Sequence, residues 1–391
     1  MLDPERFITD RLRAIDASGI RRVFDLAAEL DDPINLSIGQ PDFDVPPEVR
    51  AAAAGAIEAG MNRYTQTQGV AALREKLAAD LSAEFPDTLG PSLACGDSTL
   101  LITSGVSGGL LLALMTTVGP GDEVLIPDPY FVMYRHLVTL AGATPVYVDT
   151  YPDFAVTPDR LAPHVTARTK LVLFNTPSNP TGVTATAAQA EAAAAFCAER
   201  GLLMLSDEIY DVFNYPDEGD AFVSPMSFGS EALLMRGFSK TYGMTGWRLG
   251  YSVGPTPIVE QMTKLQQYSF VCAPSMVQAA GVLALDVDMS AHVAAYRRKR
   301  DRVVEALSPH YELTVPGGAF YAFPQVPVEL GMTGTQFVEA AVRKNVLVIP
   351  GEVFSQRDTH FRLSYACDDA TLDRGLEVLI ELAATPRIAD R

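Results

Sequence analysis

Short apolar runs alternate with longer amphipathic or alanine-rich stretches along most of the chain. Runs at 100–103, 123–127, 145–148, 171–174, 202–206 and 232–235 have the length of buried strands. Segments over 47–59, 70–82, 110–117, 185–200, 257–268 and 274–285, and one ending at Ala141, predict helices. A further helix is expected around 20–30. After a basic helix over 292–307, strands at 320–323, 346–349 and 360–365 alternate with helices over 336–345 and 370–383. Alternation of this kind predicts an α/β fold built on strand-helix-strand units.

Several residues with distinctive chemistry fall just past the C-terminal ends of these runs, where open α/β sheets bind ligands. They are Gly105, Asn179, Asp207 and Lys240. Asn179 to Asp207 is 28 residues (207 − 179) and Asp207 to Lys240 is 33 (240 − 207). Both are close to the roughly 30 residues of one strand-helix-strand unit. Ser104 to Gly109 reads as a glycine-rich turn whose backbone N–H groups suit an anion at a helix start, although glycine there also serves packing. The Asp207-Glu208 pair follows an apolar strand and is costly to bury without partners. Lys240, in a glycine-rich loop, is a residue type that forms Schiff bases with aldehydes, and Arg248 offers a fork suited to phosphate. Together they suggest a phosphorylated aldehyde.

Length and charge narrow the classes. The chain has 391 residues, enough for two domains and a sizeable core. Thirty Lys and Arg against 48 Asp and Glu leave a net charge of −18, which disfavours nucleic acid and anionic membranes. An anionic cofactor must therefore be drawn in by a local cluster. Cys95, Cys197, Cys272 and Cys367 lack any paired spacing, so reduced thiols, no metal site and a cytoplasmic location are expected. The first thirteen residues carry no apolar run, so no signal peptide is expected, and no apolar stretch approaches a bilayer span.

The stretch from Gly237 to Tyr251, with Ser239-Lys240 and then Gly246-Trp247-Arg248-Leu249-Gly250-Tyr251, closely resembles the lysine motif of the pyridoxal 5′-phosphate-dependent class I/II aminotransferases. Gly39-Gln40-Pro41-Asp42 and Asn179-Pro180-Thr181-Gly182 resemble two further signatures, and the likeness runs in family order from Gly39 to Arg362. It implies a fold type I transferase: a large domain over 45–285 with a mostly parallel seven-stranded sheet covered by helices. A smaller α+β domain would combine 1–44 with 286–391. It implies a homodimer in which Tyr64 reaches the neighbouring active site.

The resemblance also assigns roles. Lys240 would hold the coenzyme and serve as base, Asp207 would answer the pyridine nitrogen, and Tyr210 the ring oxygen O3′. Asn179, expected beside a cis proline bond, would meet O3′ and the substrate carboxylate. Gly105, Val106, Ser107, Ser239 and Arg248 would bind the phosphate. Phe131 would lie flat on the ring, with Tyr130 as the neighbouring alternative. Gly39, through its N–H, and Arg362 would take the substrate α-carboxylate.

Two departures matter. Gly237 stands where many relatives have serine, and Gln267 and Ser107 stand where aspartate-selective relatives place a cation. The expectation is a ping-pong transfer between pyridoxal and pyridoxamine phosphate forms. A neutral, aromatic or aliphatic donor and 2-oxoglutarate as acceptor are expected. Aspartate specificity, with Arg21, Arg22, Arg63 or Lys264 substituting, and β-lyase chemistry are the alternatives. A sensor role would need a DNA-binding segment that the first 40 residues do not suggest.

Overall fold

The computed structural model describes residues 2–16, 19, 30–215, 222–229 and 231–384. The helix expected around 20–30 lies outside these residues, apart from its last position. Seven strands form the main sheet: β2 (Ser98–Ser104), β3 (Glu123–Asp128), β4 (Thr144–Asp149), β5 (Thr169–Asn175), β6 (Leu203–Asp207), β7 (Leu233–Gly237) and β8 (Leu249–Pro255). Their order is β2-β8-β7-β6-β5-β3-β4. The pairs among β3 to β7 are parallel, whereas β8 runs antiparallel to both β2 and β7.

Both sheet faces are buried, which is why the strands read as nearly continuous apolar runs. Leu101, Val124, Ile126, Leu171, Leu173, Leu205 and Met235 pack on one side with the helices Gly105–Thr117, Met133–Ala141, Thr256–Gln267 and Ser290–Leu307. Leu100, Ile102, Leu125, Val172, Phe174, Met204 and Leu234 alternate onto the other. There they meet Pro47–Glu58, Ala71–Glu84, Ala187–Arg200 and Ser275–Ala284.

Three elements differ from the sequence reading. β8 was hidden because Gly250 and Gly254 break its apolar run; a Cβ at Gly250 would come within 2.7 Å of the Gly105 carbonyl carbon. That glycine lets the strand pass under the next helix. The helix predicted from 110 begins at Gly105, so most of the expected turn is its opening turns, and a Cβ at Gly109 would meet the Met235 sulfur at 2.9 Å. The helix Leu89–Cys95 was unforeseen because Gly90-Pro91 reads as a turn, yet proline is tolerated in a first helical turn.

Two smaller sheets complete the fold. β1 (Ile34–Asn35) pairs in parallel with β10 (Val346–Leu347), and β11 (Ile349–Pro350), β12 (Phe361–Ser364) and β9 (Tyr321–Ala322) form an antiparallel sheet. The strand expected over 346–349 is thus divided between two sheets. The basic helix is also less solvated than its composition suggests. Arg300 is buried and donates to the Pro316 carbonyl at 2.7 Å, while Lys299 reaches Asp42 at 2.5 Å. Tyr296 on the same helix donates to Asp42 at 2.6 Å, which anchors the turn that follows Gly39.

Glu208, fully buried, finds its partner in Arg236 on β7. The guanidinium donates to Glu208 at 2.9 and 3.0 Å and to Glu84 at 2.7 and 2.8 Å. Ser206 and Ser224 complete the Glu208 carboxylate. Removing one partner of a buried pair leaves an uncompensated charge at a cost of about 3–5 kcal/mol. Arg236→Met is therefore expected to lower the urea midpoint of unfolding by a corresponding amount. Adding Glu208→Gln should restore part of it; a double variant no more stable than Arg236→Met would refute this charge-based account.

Candidate active site

Lys240 stands in one turn of helix, Phe238–Thr241, directly after β7, rather than in an open loop. Its Nζ donates to the Gly39 carbonyl at 2.5 Å. Burial holds the amine down at about 8, the Arg362 and Arg248 charges press the same way, and Asp207 opposes them. The neighbouring strand β6 ends in Asp207, whose carboxylate accepts from the Tyr134 hydroxyl at 2.7 Å and from the Ile209 N–H at 3.3 Å. Burial raises it to about 6, and those two hydrogen bonds act against the rise.

Arg362 on β12 is fully buried with its guanidinium between the rings of Tyr321 and Phe354, each centroid 4.6 Å away. It donates to the Asn179 side chain at 3.0 Å and to the Ser37 carbonyl at 2.8 Å, and its Nε has no partner among the described residues. Burial lowers its affinity for the proton from a very high starting point. Asn179 precedes a cis proline bond, as expected, and is held by Asn175, whose amide donates to the Asp207 carbonyl at 2.9 Å. The hydroxyls of Tyr210 and Tyr321 lie 3.0 Å apart. Burial pushes Tyr210 well above the usual phenol range.

At the opposite end, Arg248 adopts the left-handed conformation, φ 58°, and donates to the Thr245 carbonyl at 2.9 Å. A Cβ at Gly105, φ 68°, would fall 2.4 Å from its guanidinium. Glycine is therefore what lets the arginine close over the N-terminus of the helix Gly105–Thr117, where backbone N–H groups and the helix dipole also favour an anion. Gly237 is crowded too, though less so: a Cβ there would come within 3.1 Å of Val106 and 3.2 Å of Gly250. Serine at that position would press on the cradle.

These groups converge. Gly39, Val106, Ser107, Phe131, Asn179, Asp207, Tyr210, Ser239, Lys240, Arg248 and Arg362 line one cavity of about 220 Å³. Gly105 lies beneath Arg248. Of the two candidate aromatics, Phe131 faces the cavity, whereas Tyr130 stacks on Tyr147 and bonds Gln356. Gly39 turns its carbonyl towards the lysine. Tyr64 is 84% exposed and does not reach the cavity of its own chain. Tyr134, Tyr321, Asn175 and Thr245 also line the site and were not foreseen. Tyr134 lies in an aromatic segment that otherwise reads as ring-packing residues, and Tyr321 sits in an apolar strand, so neither carried a chemical signal.

An anion cradle, an amine of lowered basicity, a buried carboxylate and an arginine with an unspent N–H fit a phosphorylated aldehyde with a basic ring nitrogen. The family description for class I and II aminotransferases matches residues 31–379. The chain belongs to this family. The family uses pyridoxal 5′-phosphate, and the protein is an aminotransferase. It is 35% identical to aromatic-amino-acid aminotransferase 2 of Thermococcus litoralis, over 95% of this chain and 96% of that one. Identity to the aspartate aminotransferase of Pyrococcus abyssi is also 35%, with the same coverage of each chain. The structure of Thermus thermophilus aspartate aminotransferase with maleate superposes with a TM-score of 0.88 at 31% identity, covering 96% of this chain and 99% of that one.

For this aminotransferase, no helix among the described residues is long and apolar enough to cross a membrane. No group of three or more His, Cys, Asp or Glu among them is placed to hold a metal ion. The lysine gives a signed pH dependence for the coenzyme-free protein. Between about 8 and 10.5 the unfolded chain keeps a proton that folded Lys240 has lost, so stability rises with pH across that window. Below about 8 the buried ammonium costs the fold in full. Lys240→Met should flatten this slope by an amount on the order of 2 kcal/mol between pH 7.5 and 9.5, read from urea midpoints of both proteins. Identical slopes would contradict the lowered amine.

Proposed function

We propose that the convergence of Lys240, Asp207, Arg248 and Arg362 on one cavity is the catalytic apparatus of the aminotransferase. Pyridoxal 5′-phosphate, when bound, supplies the electron sink that makes the Cα proton of an amino acid removable. Arg362 receives the substrate α-carboxylate through its unspent Nε and the remaining N–H groups of its fork, a planar match that lysine cannot supply. Asn179, already bonded to Arg362, would offer its amide to that carboxylate and to the coenzyme's O3′. Lys240 would carry the coenzyme and, once released from it, move the Cα proton; its basicity, lowered to about 8, suits that task better than that of an exposed lysine.

Asp207 keeps the ring nitrogen protonated through a charge-assisted hydrogen bond, and Tyr134 preserves its ionised form against burial. Tyr210 offers its hydroxyl to O3′. Gly105, Val106, Ser107, Ser239 and Arg248 take the phosphate, and Phe131 stacks on the ring, contributing roughly 0.5–1.5 kcal/mol beyond its area burial. The exposure of Tyr64 supports its assignment to a second copy's site in a homodimer. Pairing of β1 with β10 supports grouping 1–44 with 286–391 as one domain beside 45–285. A cytoplasmic location accords with the four unpaired cysteines among the described residues.

The donor is a neutral amino acid, aromatic or aliphatic, and 2-oxoglutarate the acceptor. The cations among the described residues lining the cavity are Lys240, Arg248 and Arg362, and each is already engaged by coenzyme or α-carboxylate in this reading. Aspartate as donor is the second reading, favoured by the name of the Pyrococcus abyssi relative.

Lys240→Ala is expected to abolish the visible absorbance that the enzyme acquires with pyridoxal phosphate and to reduce turnover by at least about 10²–10⁴-fold. Near-normal turnover would sink the assignment. A steady-state panel of amino donors should rank neutral side chains above aspartate in kcat/KM, with the amino group recovered on the 2-oxo acid. A preference for aspartate overturns the donor reading, and release of ammonia with pyruvate from a sulfur amino acid would indicate lyase chemistry.

A further inference from the structure

The hydroxyls of Tyr210 and Tyr321 share a 3.0 Å contact deep in the protein, with both side chains buried. Their rings meet edge to face, 5.7 Å apart at 87°. Tyr321 is fixed from three sides. On β9 it pairs with Ser364 of β12, and Arg362, two residues earlier, lies on the same face of that sheet. Its ring carries the Arg362 guanidinium at 4.6 Å, and its hydroxyl lies 3.0 Å from where a Cβ would stand on Gly39.

Each phenol has one proton to give and can also accept. If Tyr210 donates to Tyr321, its only proton is spent within the pair, and it offers the cavity nothing but a lone pair. If Tyr321 donates to Tyr210, the Tyr210 proton is free for an acceptor in the cavity. Accepting one hydrogen bond then strengthens the one it gives.

The charges around the pair select the second arrangement. Arg362 lies directly on the Tyr321 ring and favours negative charge building on that oxygen, which makes Tyr321 the stronger donor. The charge of Asp207 disfavours the same negative charge on Tyr210 and opposes what Arg362 contributes there. The Lys240 amine stands 5.9 Å from the Tyr210 ring.

We propose that Tyr321 is a positioning residue of the reaction, donating to Tyr210 so that the Tyr210 proton is aimed at the coenzyme's ring oxygen. The proposal rests on the reading of Tyr210 made above. Tyr321 acts through its neighbour and, by the same side chain, links that neighbour to the arginine that holds the carboxylate.

Tyr321→Phe, Tyr210→Phe and the double variant test it, because phenylalanine keeps both rings and removes one or both hydroxyls. Two readouts apply: the pH midpoint of the visible absorbance of the coenzyme-loaded protein, and the Kd of pyridoxal phosphate for the coenzyme-free protein by fluorescence quenching. A donor to the ring oxygen stabilises its negative charge most when the adjoining Lys240 nitrogen has lost its proton, so losing that donor raises the midpoint. Tyr210→Phe should raise it by about one unit and Tyr321→Phe by about half a unit. The double variant should match Tyr210→Phe alone in both midpoint and Kd. An unmoved midpoint in Tyr321→Phe alongside a shifted one in Tyr210→Phe, or shifts that add in the double variant, overturns the role of Tyr321. An unmoved midpoint in Tyr210→Phe instead removes the reading of Tyr210 on which the proposal stands.

Discussion

Two adjacent parallel strands deliver a carboxylate and an amine into one buried space, and neither is used to neutralise the other. Lys240 spends its hydrogen bond on a backbone carbonyl, and Asp207 takes one from a phenol and one from a backbone N–H. Each group is held in the less comfortable state that burial imposes, with the amine less basic and the carboxyl less acidic than in water. Charges kept apart in this way are costly to the folded protein, and the cost is recovered only when a ligand brings complementary groups. The remainder of the site is organised to sustain that separation.

The support lies one residue away in sequence. Glu208, next to Asp207, is tied to Arg236, which precedes Lys240 by four positions on the neighbouring strand. One guanidinium thus fixes the ends of β6 and β7 relative to each other, and through Glu84 it fixes both to the helix Ala71–Glu84. The acidic pair divides: Glu208 answers a structural cation, while Asp207 forms no ion pair among the described residues.

Much of this was legible in the residues. Lys240, Asp207, Asn179 and Gly105 announced themselves by their place after apolar runs, because a parallel sheet buried on both faces writes its strands as continuous hydrophobic segments. β8 escaped for the opposite reason. Its glycines are demanded by the approach of the Gly105 backbone, and that contact depends on tertiary structure. Tyr134 and Tyr321 also passed unnoticed, since a tyrosine in an aromatic segment or an apolar strand looks like core until its hydroxyl is seen to have a partner. Nothing in the sequence sets Arg300 apart from the four other Lys and Arg of its basic helix, because burial beside the Pro316 carbonyl depends on how the helix is rotated against its neighbours. The substrate side chain is the least legible element, as it is recognised by what the cavity lacks as much as by what it contains.

The segment from Ile34 to Gly39 does more than its length suggests. Its first two residues extend a sheet with β10, the Leu36 carbonyl accepts from Ser364, the Ser37 carbonyl grips Arg362, and the Gly39 carbonyl meets Lys240. Within six consecutive residues, main-chain carbonyls thereby reach both Arg362 and Lys240. Because backbone makes these contacts, the segment tolerates little change in length. An insertion or deletion of one residue would shift every carbonyl out of step, so this stretch behaves as a ruler laid across the cavity.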